Sequence, residues 1–199
     1  MPAQTTRTPM PTHKKTAPKK ALGQVRIIGG KWKRTNLPVV DFPGLRPTPS
    51  RVRETLFNWL GQDLTGWRCL DAFAGSGVLG FEAASRGAAA VILLEHNKQL
   101  VSHLQQVQKK LQAENVKVIR ADALDFMKRE AKHSYDLVML DPPFEADVFE
   151  QALQNAIHVL DTGGVIYLEA SRKIDAPEGF ICYRQAKAGA VYYHLFIAA

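Results

Sequence analysis

From residue 67 onward the apolar positions fall into two alternating patterns. Short apolar runs at 67–71, 90–95, 116–121, 135–141 and 163–170 read as strands. Between them, helical spacing predicts helices at about 77–86, 97–113, 123–132 and 147–159. The clearest is 97–113, where Leu100, Leu104, Val107 and Leu111 recur at spacings of four, three and four. Repeated β–α alternation predicts a parallel sheet covered on both faces. Residues 179–186 and 190–197, joined around Lys187-Ala-Gly189, predict an antiparallel hairpin that closes the sheet. Upstream, two short runs around Gly29-Gly30 (25–28 and 31–37) predict another hairpin. A helix from Ser50 to Leu60 follows, with Pro49 in its first position and Thr48 or Ser50 as cap. Its stripe of Val52, Leu56, Trp59 and Leu60 is candidate core. The fold class is therefore α/β, a doubly wound sheet at 65–199 behind a hairpin-and-helix extension at 23–64. Residues 1–22 are rich in Pro, Thr and Lys without periodicity and read as a disordered tail.

Composition changes this picture little, and charge changes it more. Of 199 residues, 46% are hydrophobic and 23% charged, which excludes a wholly disordered chain, a collagen-like fibre and a coiled coil. The two cysteines, Cys69 and Cys182, sit in strand-like runs and read as buried reduced thiols. No run approaches the roughly 18 apolar residues of a membrane span, and no signal core precedes the fold. A cytoplasmic protein without membrane attachment is expected. The net charge of +7 is unevenly spread. Residues 1–53 hold 12 Lys or Arg against one acid, and the remainder holds 14 against 18. Such asymmetry predicts a polyanion partner at the front of the chain. Arg26, Lys31, Lys33 and Arg34 surround Trp32 on the predicted hairpin, and Arg46, Arg51 and Arg53 lie near the start of the following helix.

The first strand of the α/β part ends at Asp71, followed by Ala-Phe73-Ala-Gly75-Ser-Gly77-Val-Leu-Gly80. Gly75, Gly77 and Gly80 satisfy G-x-G-x-x-G between a strand and a helix, and Glu95 ends the next strand. That pattern alone does not choose a ligand. Asp71 does, because a carboxylate at this turn repels a dinucleotide pyrophosphate and attracts a cation. S-adenosylmethionine carries an ammonium and a sulfonium there. Asp71 and the Gly75–Gly77 backbone are expected to bind its methionine end and Glu95 its ribose. Asp122 would accept from the adenine amino group, with Phe73 and Ala123 counted among the cofactor-binding residues. A nicotinamide oxidoreductase is disfavoured by Asp71.

The fourth strand ends in Asp141-Pro142-Pro143-Phe144. In an open parallel sheet ligands bind beyond the carboxyl ends of the strands, at the switch in strand order, where Asp71 and Asp141 are expected to be neighbours. Two prolines stiffen the loop and remove two amide donors, leaving the Asp141 carboxylate and carbonyl oxygens as acceptors. An exocyclic amino group on a nucleobase is a poor nucleophile, its lone pair delocalised into the ring. Asp141 and the Pro142 carbonyl can each accept one of its N–H bonds and leave the lone pair aimed at a methyl donor, while Phe144 stacks on the base. Asp141 can serve as an orienting group or also take the proton. No cluster has metal-ligand spacing. His194, with Tyr192 and Tyr193, reads as ordinary sheet.

With these residues placed, the chain resembles a class I S-adenosylmethionine-dependent methyltransferase with a Rossmann-like sheet. More narrowly, it is similar to the RsmD family of small bacterial 16S rRNA guanine-N2 methyltransferases. Leu45-Arg-Pro-Thr48 and Arg51-Val-Arg-Glu-Thr-Leu-Phe-Asn-Trp-Leu60 carry the narrower resemblance, and Asp71–Gly77 and Asp141–Phe144 the wider one. Ala72 departs from a common Leu and Arg120 from a common Asn. The resemblance implies methylation of the 2-amino group of guanine-966 of 16S rRNA, in an assembled or assembling 30S subunit whose proteins help form the docking surface. It implies RNA-binding roles for the basic front end. A monomer is expected. Two alternatives stand beside it: a DNA adenine-N6 methyltransferase, and a non-catalytic RNA-binding assembly factor.

Overall fold

The computed structural model describes residues 23–143 and 148–199, so the expected tail at 1–22 lies outside the described residues. The elements run β1 (Gly23–Arg26), β2 (Asn36–Val39), α1 (Ser50–Trp59), β3 (Arg68–Asp71), α2 (Val78–Ser85), β4 (Ala90–Glu95), α3 (Lys98–Leu111), β5 (Val116–Arg120), α4 (Ala123–Arg129), β6 (Tyr135–Leu140), α5 (Phe149–Val159), β7 (Leu160–Ala170), β8 (Phe180–Ala188) and β9 (Val191–Ala198). The main sheet has the order β5-β4-β3-β6-β7-β9-β8. Its first five strands are parallel, and β9 pairs antiparallel with both β7 and β8. Strand order reverses between β3 and β6, which places the ends bearing Asp71 and Asp141 side by side.

The sheet separates two cores. On one face lie Val52, Leu56 and Phe57 of α1, Leu79 and Phe81 of α2, and Leu104 and Val107 of α3. On the other lie Ala123 and Met127 of α4 with Ala152, Leu153 and Ala156 of α5. Burial on both sides explains why the central strands read as unbroken apolar runs. The extension packs on the α1–α3 face, and Trp59 stacks on Tyr193 with ring centroids 5.3 Å apart. His194 is buried in β9, accepting from the Ile174 amide at 3.2 Å, and takes an ordinary place in the sheet.

The front hairpin differs from its expected form. Its second strand begins at Asn36, and residues 31–34 form a turn. Gly29 and Gly30 are not the hairpin turn but a contact with α2. The Ile28 and Gly29 amides donate to Glu82 at 3.0 and 2.8 Å, and the Lys31 amide to the Ser85 carbonyl at 2.6 Å. A Cβ on Gly30 would lie 1.8 Å from that carbonyl oxygen. Backbone groups that a tight hairpin would pair are therefore spent on the helix.

Two further expectations are corrected. Neither Thr48 nor Ser50 caps α1, and the Thr48 hydroxyl instead donates to Glu169 at 3.2 Å. Cys69 is fully buried, its thiol pushed up to about 12 by desolvation, whereas Cys182 is only half-buried.

Candidate active site

Four neighbouring strands each carry an acid at or next to their carboxyl end, and all four acids lie on one face. Val91 and Leu93 of β4, Cys69 of β3, Leu137 and Met139 of β6, and Val165 and Tyr167 of β7 belong to the core beneath α1–α3. The two-residue period of a strand puts Glu95, Asp71, Asp141 and Glu169 on that same side. Sheet order arranges them as a row, Glu95–Asp71–Asp141–Glu169. Among the described residues no three acids converge as metal ligands would.

Each acid has its own surroundings. Glu95 is buried, with Oε2 accepting from the Gly75 amide at 3.1 Å and Oε1 from the Asn97 amide at 2.7 Å. Asp71 is 2% exposed and accepts from the Gly80 amide at 3.0 Å. Burial outweighs that bond and, with the charges of Glu95 and Glu169, raises its carboxyl from 3.8 to about 7. Asp141 is half-buried, and desolvation, then Glu169 and Asp71, push it well above the usual carboxylate range. Glu169 is 4% exposed and is also raised by burial, against the bonds donated by Tyr167 and Thr48.

The glycine loop is shaped by these contacts. Gly75 and Gly77 take φ of +51° and +74°, the left-handed region. Gly80 is needed for space, since a Cβ there would lie 2.0 Å from Leu93 Cδ2. Its absence lets α2 bring an amide to Asp71. The amides of Gly75 and Gly77 are engaged, the first by Glu95 and the second by the Ala74 carbonyl at 2.6 Å. These two bonds hold the shape of the loop. This row of acceptors suits a ligand with cationic centres and hydroxyl groups and opposes a diphosphate.

A strap from the extension crosses the row. Leu45 lies 3.0 Å from where a Gly75 Cβ would be, and Thr48 reaches Glu169. Arg46 is exposed between these two anchors. Pro142 is buried behind Asp141, and Phe144 lies outside the described residues.

The remaining sequence-predicted residues divide. Asp122 is exposed at the end of β5 and caps α4, accepting from the Asp125 amide at 3.0 Å, with Ala123 buried beside it. Phe73 packs on the α4–α5 core. Arg26, Lys31, Lys33, Arg34 and Arg51 are exposed, and Lys31 Nζ lies 5.8 Å over the Trp32 ring. Arg53 does not belong with them. It is 1% exposed, bonds Glu82 at 3.1 Å and the carbonyls of Thr48 and Arg26, and so holds the extension to α2. Sequence reading singled out neither Glu82 nor Glu169. The available signal for Glu169 was positional, an acid closing a strand as at Asp71, Glu95 and Asp141.

Solved structures share this architecture. An Escherichia coli protein described as a candidate methyltransferase is 39% identical, covers 88% of this chain and 98% of its own, and has a TM-score of 0.80. TrmN from Thermus thermophilus, at 23% identity and a TM-score of 0.61 over 73% of this chain and 47% of its own, shows the fold. Fold and site together define an enzyme of the methyltransferase class with a Rossmann-like sheet. The protein named Ribosomal RNA small subunit methyltransferase D is 41% identical in Haemophilus influenzae (92% of this chain, 98% of that one). Its Escherichia coli counterpart is 39% identical (87% and 90%). The chain belongs to the family described as Conserved hypothetical protein 95, the RsmD family, which it matches over residues 25–197.

Proposed function

We propose that this protein methylates the 2-amino group of guanine-966 of 16S rRNA in the small ribosomal subunit, using S-adenosylmethionine. The observation that carries the reading is Asp141-Pro142 standing on the strand next to Asp71, within one row of acceptors. When bound, S-adenosylmethionine supplies an electrophilic methyl on a sulfonium. Asp71 would hold the cationic methionine end and Glu95 the ribose hydroxyls, with Asp122 on the adenine side. Asp141 and the Pro142 carbonyl would accept the two N–H bonds of the target amino group and leave its lone pair facing the methyl. A carboxyl raised as Asp141 is can then take the proton released on transfer. Phe144 is assigned to stacking on the extruded base.

Arg26, Lys31, Lys33, Arg34, Arg46 and Arg51 would meet rRNA phosphates, which fits names given to relatives for action on small-subunit rRNA. The test is methyl transfer from labelled S-adenosylmethionine to unmodified 30S particles, naked 16S rRNA and duplex DNA in parallel. N2-methylguanosine in the particle is the expected product. N6-methyladenosine in DNA, or no label despite cofactor binding, would overturn the reading.

A further inference from the structure

Glu169, at the β7 end of the row, has no part in the chemistry above. Its side chain is nonetheless fixed. Oε1 accepts from the Tyr167 hydroxyl at 2.8 Å and from the Thr48 hydroxyl of the strap at 3.2 Å. Oε2 accepts no hydrogen bond from the described residues. Leu140 pairs with Leu168, so Asp141 and Glu169 are the next residues on adjacent parallel strands and share one face. Strands lie about 4.8 Å apart, close enough for both carboxylates to reach one base. Among the described residues neither acid has a Lys or Arg partner. Two neighbouring desolvated carboxylates are costly unless something brings donors to them.

The Watson–Crick edge of guanine brings them side by side, the 2-amino group and the N1–H. Adenine offers its amino group next to a lone pair at N1. Against an ionised carboxylate that lone pair is repelled and unpaired. We propose that Glu169 Oε2 accepts the N1–H of the target guanine while Asp141 and the Pro142 carbonyl hold its 2-amino group, so that Glu169 selects guanine over adenine. This rests on the guanine-N2 reading of the site. Thr48 and Tyr167 are positioning residues that turn Oε2 toward the base, and no proton moves in this contact.

The probe is 2-aminopurine, which keeps the 2-amino group and has a lone pair at N1. It would replace the target guanine in reconstituted 30S particles. Wild-type protein should prefer guanine to 2-aminopurine by on the order of a hundredfold in kcat/KM. Glu169→Gln, whose amide can accept from N1–H or donate to the lone pair, should bring the two within roughly threefold when read above pH about 7, where Asp71 is ionised with or without the Glu169 charge and cofactor affinity holds. Thr48→Val should lower the ratio part of the way. Equal wild-type rates on both bases would overturn the assignment. So would a wild-type ratio retained in Glu169→Gln. Should that variant fail to bind cofactor, the wild-type comparison and Thr48→Val decide. Absence of N2-methylguanosine in the guanine arm with wild-type protein would instead remove the underlying reading, and this one with it.

Discussion

A buried carboxylate is useful at this site only when ionised, and Asp71 sits where that is in question. Its carboxyl is raised from 3.8 to about 7 by burial and by Glu95 and Glu169. In the free protein this works against the fold as pH rises from about 3.8 to about 7, because the folded chain holds the proton more tightly than the unfolded one. For a cationic ligand the sign reverses. Binding favours the ionised form, so below about 7 it must release the proton. Affinity for S-adenosylmethionine should therefore rise up to about tenfold per pH unit below about 7 and level off above. Calorimetric titrations across this range check it, and Asp71→Asn should bind weakly with a flat profile. Asp141→Ala separates binding from chemistry. Cofactor affinity should be largely intact, and single-turnover methyl transfer should fall by at least about a hundredfold. Near-normal turnover would remove Asp141 from the mechanism.

Among the elements, the front hairpin presents Lys31, Lys33 and Arg34 on an exposed turn whose backbone is fastened to α2. A charged turn held on a rigid helix keeps its position when it meets a polyanion. Reversing charge at Lys31 and Lys33 should weaken binding to 30S particles and make its dependence on log salt shallower by roughly 1.5–2. Cofactor affinity should not change. Filter binding at several salt concentrations reads both, and an unaltered slope would argue against the hairpin as an RNA contact. The hairpin and α1 were visible in the sequence as apolar runs, but their use was only half visible. Gly29-Gly30 reads equally well as a turn or as a close approach, and the nearness of Ser85 settles which. Arg53 looked like its neighbours Arg46 and Arg51 because charge pattern carries no information about a partner 29 residues away.

At the level of the whole molecule, the extension is fastened to α2 at a buried carboxylate, Glu82. Glu82 receives the Ile28 and Gly29 amides, Arg53 at 3.1 Å and Arg86 at 3.0 Å, with no side-chain exposure of its own. Glu82→Gln leaves two guanidinium groups in the interior short of their counter-charge. It should destabilise the protein by about 3–5 kcal/mol, measured by urea unfolding. The strap carrying Leu45 and Thr48 belongs to the extension, so the same substitution should also loosen the mouth of the site. A variant as stable as wild type would show that the charge of Glu82 is not what holds the extension.

The sequence by itself determined the β–α alternation, the closing hairpin, the switch point between Asp71 and Asp141, and the acceptor-only character of Asp141-Pro142-Pro143. These follow from local periodicity and from side-chain chemistry at strand ends, which need no knowledge of distant neighbours. Tertiary structure alone decided that Arg53 is interior, that Thr48 bonds Glu169 rather than capping α1, and that Glu95 holds the Gly75 amide. It also aligned four separate acids into one row. The reason is physical: a row across a sheet depends on strand order and register, and the ends of β4 and β7 meet β3 and β6 only after the chain has crossed over.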